Sequence, residues 1–158
     1  MKKRFELLLL PCIALLTTFC SGNEETPSKT PTPPAPTTEI VFSGETRTEY
    51  EAGNFFTCNN NVTFSPDTDE SASLFFSRVQ FHPDMPIQLD MTLPGVAYSL
   101  DETGDIVFSG DNIVPLALGG EFAIYTVHNL SGRIADSASI SLTMTCGTYP
   151  VSYTGQTE

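Results

Sequence analysis

From Glu39 to Glu158, apolar and polar residues alternate with a period of two, the pattern of strands that bury one face and wet the other. Ile87, Leu89, Met91 and Leu93 alternate with Gln88, Asp90 and Thr92; Ala138, Ile140, Leu142, Met144 and Cys146 alternate with Ser139, Ser141, Thr143 and Thr145. No stretch carries a 3.6-residue apolar stripe with helix caps. The alternation predicts strands over 39–47, 60–65, 71–81, 87–99, 104–114, 121–130, 132–146 and 149–155. Between them stand turn formers such as Ala52-Gly53-Asn54, Pro66-Asp67, Asp101-Glu102-Thr103-Gly104 and Gly119-Gly120. Eight antiparallel strands with short links form a meander, and closing it removes its exposed edges. The reading is an all-β chain with a single eight-stranded antiparallel up-and-down barrel over 39–158.

The N-terminal region has a different pattern. A basic start, Met1-Lys2-Lys3-Arg4, leads into an apolar run from Phe5 to Phe19 interrupted by Glu6 and Pro11. That run is shorter than the roughly 20 apolar residues of a spanning helix. It ends at Cys20 and is followed by Ser21-Gly22-Asn23-Glu24-Glu25, which reads as a lipoprotein signal peptide over 1–19, cleaved before an acylated (palmitate-bearing) Cys20. A secretory signal cleaved elsewhere is the alternative, since Phe19 is bulky for a cleavage site; Cys12 reads as a small apolar residue of the leader. Residues 20–38 hold the run Pro27–Pro36 and a single aliphatic side chain, Ala35, and so read as an extended Pro/Thr-rich linker. Mass spectrometry of the mature N-terminus tests this. Acylated Cys20 as the first residue is expected, and a chain starting elsewhere ends the reading.

Charge narrows the partners. The chain carries −12 at neutral pH, and losing Lys2, Lys3 and Arg4 with the leader makes the remainder more negative. Such a field repels phosphate backbones, so nucleic acid is excluded as a partner class. The expected tie to the membrane is the lipid anchor, in the outer membrane with possible exposure at the cell surface. Cys58 and Cys146 remain in the barrel region, and an even count in an exported domain predicts a disulfide, worth roughly 4–5 kcal/mol in the chain-entropy model. Two buried thiols too far apart to bridge are the alternative. In a meander both cysteines fall at one rim, so the bond would require the segment Tyr50–Cys58 to fold across that mouth.

A family resemblance rests on Ser73-Leu74-Phe75-Phe76, Met85-Pro86-Ile87, Asp105-Ile106-Val107-Phe108-Ser109-Gly110, Val114-Pro115, Asn129-Leu130-Ser131-Gly132 (read as a turn), Ser139-Ile140-Ser141-Leu142 and Tyr153-Thr154-Gly155. These resemble the calycin-like β-barrel domain of Bacteroidetes lipoproteins. The resemblance implies a barrel distantly akin to lipocalins, with an interior that can hold a small apolar ligand. The chain has no tryptophan and no lipocalin-style Gly-x-Trp, so the fold carries over and the ligand does not. The stretch Ser21–Glu25 likewise resembles the signal that sends such lipoproteins to the outer face of the outer membrane.

Candidate chemistry is sparse. The two histidines, His82 and His128, sit in no nucleophile–base motif and lack a third metal ligand, so the expectation is no enzyme, no catalytic residue, no metal and no cofactor. The acidic groups Asp67, Asp69, Glu70 and Asp101, Glu102, Asp105 do not keep EF-hand spacing and read as solvated turns. Asp136-Ser137-Ala138 resembles a Bacteroidetes O-glycosylation motif, with a plain hairpin turn as the alternative. Phe55 and Phe56 are the candidate mouth contacts, their side chains on opposite faces of a strand. The functional expectation is a non-enzymatic, lipid-anchored binding module for a small molecule, glycan or protein. The alternative is a structural or interaction lipoprotein, or an inhibitor, whose barrel interior is solid; Ile87, Leu89, Met91, Leu93, Ile140, Leu142 and Met144 are bulky enough to fill one.

Overall fold

The structure, a computed structural model, describes residues 36–158. Ten strands appear: β1 Ile40–Glu51, β2 Asn54–Pro66, β3 Ser71–Val79, β4 Leu89–Leu100, β5 Ile106–Gly110, β6 Leu116–Ala117, β7 Gly120–Glu121, β8 Val127–Ala135, β9 Ser139–Cys146 and β10 Tyr149–Gln156. Eight form a closed antiparallel wall in sequential order, β1-β2-β3-β4-β5-β8-β9-β10, with β10 returning to β1 from Ser43↔Gln156 to Thr48↔Val151. The two-residue strands β6 and β7 are a small hairpin that continues the line of β5 and pairs with the start of β4 through Met91↔Ala117 and Thr92↔Leu116. The leader, Cys20 and most of the linker lie outside the described residues.

The wall sorts its side chains as the alternation requires. Phe42, Val62, Phe64, Leu74, Phe76, Met91, Leu93, Phe108, Ile134, Leu142 and Tyr153 point inward and are fully or almost fully buried. Outside stand Glu45, Arg47, Asn59, Ser141, Thr143 and Thr154, all exposed. A barrel spanning a membrane shows the opposite arrangement, an apolar outer band. This wall is built to face water.

One side chain reinforces the β1–β10 closure. Tyr153 lies along the inside of β10, and its hydroxyl donates to the carbonyl of Phe42 in β1 at 2.9 Å, with that of Asn60 in β2 at 3.2 Å. The last strand is thereby tied across the first to the second. The ring needs the space above Gly155, where a Cβ would strike the Tyr153 hydroxyl, and β1 approaches β10 so closely at Gly44 that a Cβ there would strike the Thr154 carbonyl. Burial pushes the Tyr153 phenol up to about 12, so it stays protonated and a donor.

Several boundaries differ from the alternation's forecast. Asn129-Leu130-Ser131-Gly132 is not a turn: it is a bulge inside β8, with Asn129 at φ 52 and the β8–β9 register shifting between His128 and Ser131. The extra residue lets both Val127 and Leu130 point inward, odd and even positions alike. The chain reverses instead at Asp136-Ser137, both left-handed (φ 51 and 54), with the Ala138 N–H bonded to the Ala135 carbonyl. The segment 104–114 breaks at Asn112, φ 54. Ile87 is not in the core but 50% exposed, because β4 begins two residues later.

Replacing Tyr153 by Phe keeps the ring and removes the hydroxyl, leaving buried carbonyls without that donor. Urea unfolding is expected to show a loss of about 1–3 kcal/mol. An unchanged midpoint would mean that the hydroxyl does not reinforce closure.

Candidate functional site

The two rims differ in chemistry. At the proximal rim, where β1 starts and β10 ends, polar contacts seal the turns. Arg133 Nη2 reaches Asp105 Oδ2 at 2.6 Å and Asp101 Oδ2 at 2.7 Å, while Asp101 Oδ1 accepts the N–H of Thr103 at 2.9 Å and of Asp105 at 3.1 Å. Asp105 also accepts the Asp136 N–H at 2.9 Å. Asp101 and Asp105 of this acidic group are thus satisfied by the protein itself. The Asp136 N–H and then Arg133 hold the Asp105 carboxyl below its ordinary value of 3.8, and the Thr103 hydroxyl does the same for Asp101. Across the rim, the Tyr98 hydroxyl donates to the Thr68 carbonyl at 2.8 Å.

The distal rim gathers the aromatic and exposed apolar side chains. It consists of the β1–β2 turn, the loop 80–88, the excursion 111–126 and the β9–β10 turn. Phe81 is fully buried and packs on Tyr125 with centroids 5.2 Å apart; Tyr125 also meets Phe122 at 5.4 Å and Tyr149 at 6.4 Å. Met85 contributes its sulfur, accepting the Phe81 N–H at 3.1 Å and the Tyr125 hydroxyl at 3.7 Å. The aromatic group plugs the mouth from within. Around it, large apolar side chains remain in water: Phe55 (50% exposed), Ile87, Leu116, Leu118 (69%) and Ile124 (70%). Of the exposed large hydrophobic side chains among the described residues, only Val41 lies at the other end.

The expected disulfide is absent, and Cys58 and Cys146 are free thiols. Both stand on inner positions near the distal rim, but β2 and β9 are separated by β1 and β10 around the wall. Cys58 Sγ donates to the Gln80 carbonyl and Cys146 Sγ to the Tyr125 carbonyl, each at 3.5 Å. Phe81, which follows the first acceptor, and Tyr125, the second acceptor, pack on each other. The segment Tyr50–Cys58 does not fold over the mouth, because β1 and β2 continue their ladder to Glu51↔Asn54 and project as a hairpin. Burial pushes the Cys146 thiol up to about 12 and raises that of Cys58.

Phe55 and Phe56 lie on this projecting hairpin. Phe55 faces outward under the Arg47 guanidinium, 3.9 Å from its ring centroid, and Phe56 is half-buried on the inner face. His82 Nδ1 accepts the Asp84 N–H at 3.0 Å, and its ring meets Tyr50 edge-on at 4.9 Å. His128 Nδ1 lies 3.3 Å from Asp111 Oδ1. Among the described residues no three His, Cys, Asp or Glu side chains converge as a metal site. The alternation does not reveal the rim residues Leu116 and Leu118, and it puts Ile124 in a strand over 121–130 where the chain instead makes a 3-10 turn, Ala123–Tyr125, before β8 starts at Val127; Leu118-Gly119-Gly120 is the one local signal, a turn with an apolar tip.

The best-defined concavity is a shallow groove of about 840 Å³ on the outer wall, lined by Glu45, Asn59, Asn61, Arg133, Ser141 and Thr154 among others. Inside the barrel the side chains close on one another. Besides the Tyr153 hydroxyl, the buried polar side chains among the described residues are Thr46, Thr48 and Asn60 of β1 and β2; the Thr46 hydroxyl donates to Asn60 Oδ1 at 2.7 Å, while Thr48 Oγ1 and Asn60 Nδ2 are buried without a partner among the described residues.

No protein-family model matches the chain, and no curated protein or solved structure is significantly similar to it. The resemblance to calycin-like lipoprotein domains therefore gains no support there; what stands is the closed, eight-stranded antiparallel barrel itself.

Asp105→Asn tests the proximal seal. A carboxylate with a depressed folded-state value stabilises above its unfolded value and ceases to do so as pH falls through the folded one. At pH 7 the variant should melt below the parent, and the gap should close as the pH drops below 3.8. A gap constant down to pH 2 would refute the ion-pair account.

Proposed function

We propose that this chain is a lipid-anchored, calycin-like envelope protein that acts without catalysis, as a module binding another macromolecule through its distal rim. One observation carries the reading: the interior is filled by side chains, while the apolar surface left in water is gathered at the rim opposite the point where β1 begins. An eight-stranded barrel has room for side chains or for one small ligand, and here Phe42, Phe64, Phe76, Phe81 and Tyr153 take that room. Exposed apolar residues grouped within a polar surface mark interaction sites more often than singly scattered ones do. With Cys20 acylated, the chain would be held at the outer membrane of the cell, and the barrel's first strand begins at the proximal rim. Of the two sequence readings, the solid interior favours the interaction protein over the carrier of a small molecule.

A photo-crosslinking side chain at Leu118 or Ile124, in cells that make the protein, should trap a defined adduct that the same group at Val41 does not. Equal labelling from both rims, or a stoichiometric small molecule retained by the purified protein in native mass spectrometry, would overturn the proposal.

A further inference from the structure

We infer that the distal half of β2, Asn54–Asn61, is an open sheet edge that receives an extended, positively charged segment of a partner protein as an added strand. The inference deepens the interaction reading by naming where and how a partner is held. The ladder from β1 to β2 runs the whole way from Ile40↔Phe64 to Glu51↔Asn54, but the ladder from β2 to β3 stops at Val62↔Phe76. Beyond that point β3 turns away. Arg78 takes a left-handed conformation (φ 51), its N–H is captured by the Asp90 carboxylate at 2.8 Å, and the β3–β4 register shifts between Phe76 and Val79.

Side chains, not backbone bonds, bridge the resulting gap. Ser77 Oγ lies 3.3 Å from the Asn61 nitrogen and 3.4 Å from its carbonyl oxygen, and Cys58 Sγ reaches the Gln80 carbonyl. The N–H and C=O of one residue in an antiparallel strand point to the same side, and successive residues alternate. Asn61 faces Ser77, so Asn59, Thr57 and Phe55 direct their backbone groups to the same side, where no β3 residue pairs with them. Water-exposed edges are normally blunted by a charge, a proline or a bulge. Asn54–Phe64 contains no charged residue and no proline, and its ladder to β1 has no irregularity between Phe55 and Phe64. Strand addition to such an edge takes affinity from main-chain bonds and selectivity from alternate side chains. An added strand would meet Phe55, Thr57 and Asn59 on the outer face and Phe56 and Cys58 on the inner.

Charge selects the occupant. β1, alongside, carries Glu45, Glu49 and Glu51, and its one cation, Arg47, is engaged with the Phe55 ring. On the other bank stand Asp84, Asp90 and one cation, Arg78, whose guanidinium is bound to the Gln88 side chain at 2.9 Å, so the two banks together remain net acidic. A second copy of a chain with a charge of −12 would bring like charge to an acidic edge, whereas a strand with Lys or Arg at alternate positions complements it.

Amide hydrogen exchange read by NMR on the full chain tests this. In the free protein the amides of Phe55, Thr57 and Asn59 should exchange about tenfold or more faster than those of Phe56, Cys58 and Asn60, which face β1. An acetylated ten-residue peptide alternating Lys and Val should slow those three amides about tenfold, whereas Glu-Val and Lys-Pro peptides should not. Thr57→Pro removes one edge donor and leaves the bonds to β1, so it should abolish the protection. Thr57→Lys, which keeps the backbone, should weaken it through like charge. Three outcomes overturn the inference: edge amides already protected in the dilute protein, protection by the Glu-Val peptide as strong as by Lys-Val, or protection that appears with protein concentration alone together with a dimer in sedimentation. If Lys-Val protects the tip 116–124 and leaves β2 unchanged, the strand-addition inference fails while the rim reading stands. A ligand retained inside the barrel would defeat the rim reading itself.

Discussion

Everything in this barrel depends on β10 finding β1. A meander of alternating strands has two open edges until its ends meet, and here they meet under a tight constraint: backbones close enough at Gly44 to exclude any side chain, and a tyrosine laid over Gly155 to reach the carbonyls of β1 and β2. The glycines and the tyrosine form one device. Gly155 gives the ring its place, and the ring's hydroxyl satisfies backbone acceptors that would otherwise be buried beside the closure. Gly132 serves a similar purpose in β8, two strands along the wall from β10, where the Phe108 ring occupies the space a Cβ would need.

Closure at eight strands also sets what the interior can hold. With large aromatics on facing strands and fully buried methionine and leucine between them, the inside is core. Function is thereby moved outward, onto the wall and rims. The wall is carpeted with small polar residues, and at the proximal rim Asp101 and Asp105 are satisfied from within; apart from Val41, the groups that water serves poorly stand at the distal rim and the edge of β2. The same region holds the buried Thr48 Oγ1 and Asn60 Nδ2 that lack partners, so this part of the wall is the least complete in hydrogen bonding.

The architecture was legible because a half-buried strand must alternate, and Leu89, Met91 and Leu93 or Ile140, Leu142 and Met144 do so without interruption. Errors arose where a local backbone device broke parity. Asn129-Leu130-Ser131-Gly132 has the composition of a turn, yet Leu130 must point inward, and the left-handed Asn129 absorbs the extra residue instead of reversing the chain. Asp136-Ser137 makes the reversal without any glycine. The meander layout placed Cys58 and Cys146 at one rim, and the disulfide forecast failed because β1 and β2 stay paired out to Glu51↔Asn54, so the segment that was to carry Cys58 across the mouth is regular strand. The distal apolar residues were hidden for a related reason: Leu116 and Leu118 sit in a two-residue strand and its turn, where no period exists to be read, and Ile124, forecast in a strand over 121–130, stands in a 3-10 turn, Ala123–Tyr125.

The bulge in β8 gives the chain an asymmetric tolerance to genetic change. Before it the inward positions are odd-numbered, after it even-numbered, so Val127 and Ile134 share an interior only because one residue is spare between them. Exchanging Asn129 for another residue able to adopt its backbone conformation leaves that count intact. Losing it, or gaining a neighbour, would turn one half of the strand inside out and present buried aliphatics to solvent, so drift in this segment is confined to amino-acid replacement and closed to insertion or deletion.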